Sequence, residues 1–134
     1  MQPEVKQPEL SHFEKIGGAE KTRTLVKRFY QIMDELPESY GLRKMHAENL
    51  QETEDRLFKF LNGWMGGPDL YVQEYGHPML RRRHMHLQID VSERDQWLMC
   101  MDLALVEVVG DMKLRAELSN AFAKLGDHMR NQPA

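Results

Sequence analysis

The sequence predicts an all-α protein: four main helices, with a breaker-rich stretch between the second and the third. Three observations lead there. Apolar residues recur at helical spacing in four separate segments, no segment alternates with period two for long enough to make a strand, and Gly or Pro punctuation falls between the segments.

Residues 1–10 carry two prolines and little apolar periodicity, so a loose lead-in is expected there, with a domain over 11–130 and a short tail over 131–134. Ser11-His12-Phe13-Glu14 has the spacing of a capping box, but Gly17-Gly18 leaves room only for a short turn of helix. From Ala19, the residues Leu25, Val26, Phe29, Tyr30, Ile32, Met33 and Leu36 keep one helical face, and Pro37 ends it. Residues 38–50 read as turns with a short helical piece around Leu42 and Met45. The second helix runs from about Gln51 to Met65, with Leu57, Phe60, Leu61 and Trp64 on one face, and Gly66-Gly67-Pro68 stops it. Ser92 with Asp95 gives a start signal for the third helix, which carries Trp97, Leu98, Met101, Leu105 and Val108. A break at Gly110-Asp111 leads to the fourth, with Leu114, Leu118, Ala121, Phe122, Leu125 and Met129 in register.

The stretch 66–90 reads as irregular and is far longer than the 2–8 residues that usually join helices. Leu70, Tyr71, Tyr75, Leu80 and Leu87 within it seek burial, so something apolar is expected to pack against them.

Composition bounds the function. A chain of 134 residues suits one domain, and 41% hydrophobic with 29% charged residues is the balance of a soluble globular protein. A formal charge of −3 gives no general attraction to nucleic acid or anionic membranes, and neither partner is expected. There is no basic-then-apolar leader and no apolar run near the ~20 residues of a membrane span, so a cytoplasmic protein is expected. Cys100 alone allows no internal disulfide or thiolate cluster, and ten methionines suggest an adaptable core or pocket.

Of six histidines, His12 and His128 lie near the ends and read as surface residues, while His77 before Pro78 reads as a turn residue with a local hydrogen bond. His84 and His86 form a His-x-His pair, but a zinc site needs third and fourth ligands at plausible spacing, and Cys100 beside Met101 reads as a buried thiol. On residue types alone, His84 is either a satisfied polar group on a short helix or a ligand.

From Ile16 to about Ala104 the chain resembles the second group of truncated haemoglobins, the two-on-two globins. The resemblance rests on Ile16-Gly17-Gly18, Arg28-Phe29-Tyr30, Leu57-Phe58-x-Phe60-Leu61, Trp64-x-Gly66-Gly67-Pro68, Tyr75-Gly76-His77-Pro78, Arg81-x-Arg83-His84 and Glu93-Arg94-Asp95-x-Trp97. These pieces occur in order over about two-thirds of the chain; each is weak alone, and together they are specific.

The resemblance implies a truncated globin fold around haem b, with His84 as the iron ligand. The 13-residue step to Trp97 agrees with His84 rather than His86. A single neutral imidazole leaves the other axial position open to a small gas. By the same resemblance, Arg83 and Arg56 are candidate propionate partners, and Tyr30, His46 and Trp97 are donors to a bound gas. The resemblance also aligns Thr53 with the position that usually decides access from the second helix, and it implies that Leu57, Phe60, Tyr71, Leu80 and Met101 lie around the haem.

The expected function is reversible binding of O2 and other diatomic gases at ferrous haem. Several donors on one ligand slow its release, which suits chemistry on O2, nitric oxide or peroxide, or sensing, better than bulk oxygen transport. Two alternatives stand beside it: a peroxidase-like or nitric-oxide-oxidising enzyme served by a reductase, and a cofactor-free helical interaction domain. A monomer or weak homo-oligomer is expected.

Overall fold

The computed structural model describes residues 9–130, apart from the side chain of Arg81, and among them there are helices and no strands. The expected lead-in and tail lie outside the described residues, except for Glu9 and Leu10, which carry no helix. No helix among the described residues is long and apolar enough to cross a membrane.

Helix α1 (His12–Ile16) begins where the capping signal placed it: the Ser11 hydroxyl accepts the Glu14 amide at 3.2 Å. Gly17 ends it at φ 114°, a left-handed conformation that favours glycine. Helix α2 (Gly18–Glu35) then buries Leu25, Val26, Phe29, Tyr30, Ile32 and Met33. Leu36 is extended, as a residue before proline must be, and a 3-10 turn at Pro37–Ser39 leads into the four-residue α3 (Tyr40–Arg43). Helix α4 (Gln51–Trp64) follows after a turn.

The stretch read as irregular contains two short helices, α5 (Leu70–Tyr75) and α6 (Leu80–Arg83). This corrects the sequence expectation and has a plain cause: segments of six and four residues are too short to display a 3.6-residue period. Helix α7 (Val91–Val108) also starts earlier than Ser92 and Asp95 suggested. Asp90 is the cap: its carboxylate accepts the Ser92 amide at 2.8 Å, while Glu93 accepts the Asp90 amide at 3.2 Å. Helix α8 (Met112–Met129) is capped by Asp111.

Helix α2 packs on α4 and on α7, and α7 packs on α8. The four long helices thus form two pairs, α2 with α4 and α7 with α8. Their shared core includes Phe29, Met33, Leu61, Met101, Leu105, Leu118 and Phe122, all at most 1% exposed. The short helices α5 and α6 are held at the margin, against α4 and α8 respectively, and this leaves a cavity between them and the bundle.

Candidate haem site

The cavity encloses about 750 Å³, within the range of cofactor and ligand sites. Tyr30 comes from α2, His46 from the loop after α3, Thr53, Arg56, Leu57 and Phe60 from α4, Tyr71 from α5, Leu80 and Arg83 from α6, and Trp97 from α7; His84 stands just beyond α6. Eleven of the twelve residues singled out in the sequence therefore meet on one surface. Met101 does not: it is fully buried in the core and does not line the cavity.

A four-residue helix brings His84 to the cavity. Its amide donates to the Leu80 carbonyl at 3.1 Å, and its ring Nδ1 lies 2.7 Å from the same oxygen. A carbonyl only accepts, so Nδ1 carries a proton and, in the neutral ring, Nε2 carries the lone pair. Burial pushes the His84 pKa down, with a further push from His86, against the opposing effect of the Leu80 hydrogen bond. An imidazole kept neutral, with Nδ1 committed to a backbone carbonyl, is the form in which histidine ligates a metal. His86 is exposed, although it too borders the cavity. Among the described residues no group of three or more His, Cys, Asp or Glu is placed to hold a metal ion, so the His-x-His zinc reading has no further ligands.

Of the four aromatic side chains with polar handles that line the cavity with His84, Tyr30 and Trp97 are the two expected as donors. Tyr30 is 6% exposed, and its ring meets Phe29 edge-on at 4.9 Å. Burial, with a smaller contribution from Glu54, holds its phenol well above the ordinary range, so its hydroxyl keeps its proton. Trp97 is half-buried, packed edge-on against Phe29 at 5.4 Å and Phe122 at 5.7 Å, so its indole is held on two sides. The N–H it carries is a donor only.

His46 departs from the expectation that it donates. Its ring lies 6.0 Å from that of Tyr30, centroid to centroid, and its Nδ1 lies 2.9 Å from the Leu42 carbonyl. That bond takes the one N–H of the neutral ring and leaves Nε2 as an acceptor. Burial, with Arg43 and His84 nearby, lowers its pKa despite the Leu42 bond, so the neutral form is the favoured one.

The charged groups sit at the rim. Arg56 is exposed and paired with Glu52 one helical turn earlier. Arg83 is exposed, with its guanidinium 5.7 Å from the Tyr71 ring centre. Leu42, Met45, Leu87, Ile89, Leu125 and Met129 also line the cavity, and none of them was a haem-site candidate from the sequence. For Leu125 and Met129 the signal was present, since they continue the α8 stripe, but the stripe does not tell core from cavity wall. Outside the cavity, His128 is exposed, His12 lies 3.6 Å from Glu117, and His77 makes the local turn bond expected of it. A second, open concavity of about 900 Å³ between α2 and α4 is walled by charged side chains such as Arg23 and Asp55, themselves paired at 3.3 Å, and has no apolar wall for a cofactor.

Apolar walls, two neutral imidazoles (His84 and His46) whose Nδ1 atoms are committed to backbone carbonyls, and cations at the rim form a donor set that fits an iron porphyrin with acidic side chains. Comparison with known proteins points the same way. A family model described as bacterial-like globin matches residues 11–131. A group 2 truncated haemoglobin of Bacillus subtilis (YjbI) is 36% identical over 115 residues, which is 86% of this chain and 85% of that protein. The solved cold-adapted truncated haemoglobin of the Antarctic bacterium Pseudoalteromonas haloplanktis is 41% identical with a TM-score of 0.90, over 92% of this chain and all of that one. A group II two-on-two haemoglobin of Agrobacterium tumefaciens is 40% identical, also with a TM-score of 0.90, over 96% of this chain and all of that one. The two helix pairs described above are the two-on-two arrangement, and the chain belongs to the bacterial-like globins, as a haem globin of the group II truncated haemoglobins.

Proposed function

We propose that the cavity binds haem b through His84 and that the protein binds O2 reversibly, releasing it slowly. The observation that carries this reading is the meeting, on one cavity, of a neutral imidazole with its Nδ1 committed to Leu80 and two donors, the buried Tyr30 and the half-buried Trp97. When bound there, ferrous haem supplies an open coordination position for a diatomic gas.

The chain's own residues then do four things. The Leu80 carbonyl orients His84 and strengthens it as a ligand by accepting a hydrogen bond from its Nδ1–H. Leu57, Phe60, Tyr71 and Leu80 present apolar surface that excludes water from the site. Arg83 and Arg56 offer positive charge at the rim, to which the acidic side chains of the porphyrin are complementary. Tyr30 and Trp97 hold an O–H and an N–H on the cavity wall, where a ligand carrying partial negative charge accepts them. Thr53 adds a small hydroxyl to the α4 wall.

Each neutral hydrogen bond contributes about 0.5–1.5 kcal/mol, or roughly 2- to 10-fold in a release rate. Stopped-flow O2 release should therefore quicken by about that factor in Tyr30→Phe and in Trp97→Phe. Rapid release in the wild type, left unchanged by both substitutions, would remove the basis of the slow-release reading. The His84→Gly protein tests the ligand itself: its optical spectrum should lose the histidine-ligated form and regain it when imidazole is added.

A further inference from the structure

We propose that His77 is a positioning residue for the His84 imidazole, acting through the Met79 amide and the Leu80 carbonyl. The proposal rests on the reading of His84 as the axial ligand.

The His84 ring is tied to the Leu80 carbonyl oxygen. Both its amide (3.1 Å) and its Nδ1 (2.7 Å) point at the Leu80 carbonyl. Leu80 opens α6, which has only four residues and cannot hold its own geometry, because the first turn of a helix is unfavourable to form. The residue before it therefore matters: the Met79 carbonyl accepts the Arg83 amide at 3.0 Å and so starts the helix.

Met79 has φ 47° and is the only non-glycine with positive φ among the described residues. In that region Cβ crowds the following carbonyl oxygen, and a long unbranched side chain gains nothing local in return. Packing does not hold Met79 there either, since it is 41% exposed. A side-chain bond does: the Met79 amide donates to His77 Nδ1 at 3.3 Å. An N–H requires an acceptor, so His77 Nδ1 carries the lone pair. The ring closes a turn two residues on, as Asn and Asp side chains do, with Pro78 fixing φ between them. From His77 to Met79, to the start of α6, to the Leu80 carbonyl and to His84 Nδ1, each step is a hydrogen bond or a peptide unit.

The test is resonance Raman spectroscopy of the gas-free ferrous holoprotein, in which the iron–imidazole stretching band reports the setting of the histidine ligand. His77→Ala is expected to shift and broaden that band. His77→Gln, whose amide stands one methylene too far out to close the same turn, is expected to do likewise. His77→Asn, which closes it, is expected to keep the wild-type band, so the Asn and Gln pair carries the test even if the Ala protein folds poorly. The double variant His77→Ala, Met79→Gly is expected to move the band back, because glycine adopts positive φ without the Cβ clash. A lowered melting temperature with an unmoved band, or an equal shift in the Asn and Gln variants, overturns the proposal. His84→Gly is measured in parallel. Persistence of the band there means that another residue ligates the iron and that the underlying reading has failed; its loss there with no response at position 77 dismisses the role of His77 alone.

Discussion

The Nδ1 of His46 donates to the Leu42 carbonyl at 2.9 Å, so the neutral ring offers the cavity a lone pair, and only protonation turns Nε2 into a donor. Burial first, then Arg43 and His84, depress its pKa, while the Leu42 bond opposes them. The folded protein therefore takes up this proton below the ordinary imidazole value of about 6.5, whereas the unfolded chain takes it up at that value. The sign follows: stability tied to His46 is complete above about 6.5 and is lost as the pH falls through that window. For the site, O2 release should stay flat as the pH falls to about 6.5 and slow below it, as a further donor appears. Stopped-flow measurements on wild type and His46→Gln check this; a pH step of the same size in both assigns it to another group. Tyr30 behaves in the opposite sense, since its raised pKa keeps its O–H through the alkaline range. No reading of residue types distinguishes these two roles, because the role of His46 depends on the distance to one carbonyl.

Among the elements, the turn after α4 shows how much a short motif fixes. Gly66 adopts φ 101°, and a Cβ on Gly67 would stand 2.6 Å from the Phe13 ring. The Phe13 amide also donates to the Met65 carbonyl at 2.9 Å, so α1 is seated directly on this turn. Gly67→Ala should therefore cost about 1–3 kcal/mol, as overpacking does. Gly110→Ala is the control: its Cβ meets nothing within 4 Å, and a compatible Gly→Ala change is neutral or stabilising. Urea unfolding of both variants decides the matter, and equal midpoints would show that the Phe13 contact gives way without cost. The glycines were legible in the sequence as a stop; that they also receive Phe13 was not, because that contact joins positions 54 residues apart. The long helices were legible for the opposite reason, since each spans several turns of its own apolar stripe. Helices α5 and α6 were not, being too short for any period, and the Asp90 cap was missed because Ser92 and Asp95 offered an equally good local pattern.

On the scale of the whole molecule, the two sides of the cavity differ in what holds them. One side is the bundle, where α2, α7 and α8 share residues such as Phe29, Leu105 and Phe122 that are fully buried without help from a cofactor. The other is the segment 69–90, with a six-residue and a four-residue helix that pack on α4 and α8 and present Tyr71, Leu80 and Leu87 to the cavity. Apolar side chains that border a space of about 750 Å³ gain contacts when something fills it, and short helices do not persist on local hydrogen bonds alone. The burial these residues seek was legible in the sequence; what completes it was legible only through the histidine motif beside them. Haem binding should therefore stabilise the two sides unequally. A ligand at 100 times its Kd adds about 2.7 kcal/mol to whatever must be ordered to bind it, or roughly 100-fold in amide protection. Hydrogen exchange on apo- and holoprotein should show that gain concentrated in residues 69–90, with α2, α7 and α8 protected in both. Protection lost evenly from α2 and from 69–90 on removing haem would mean that the bundle has no independent core, and would contradict the division of labour drawn from its packing.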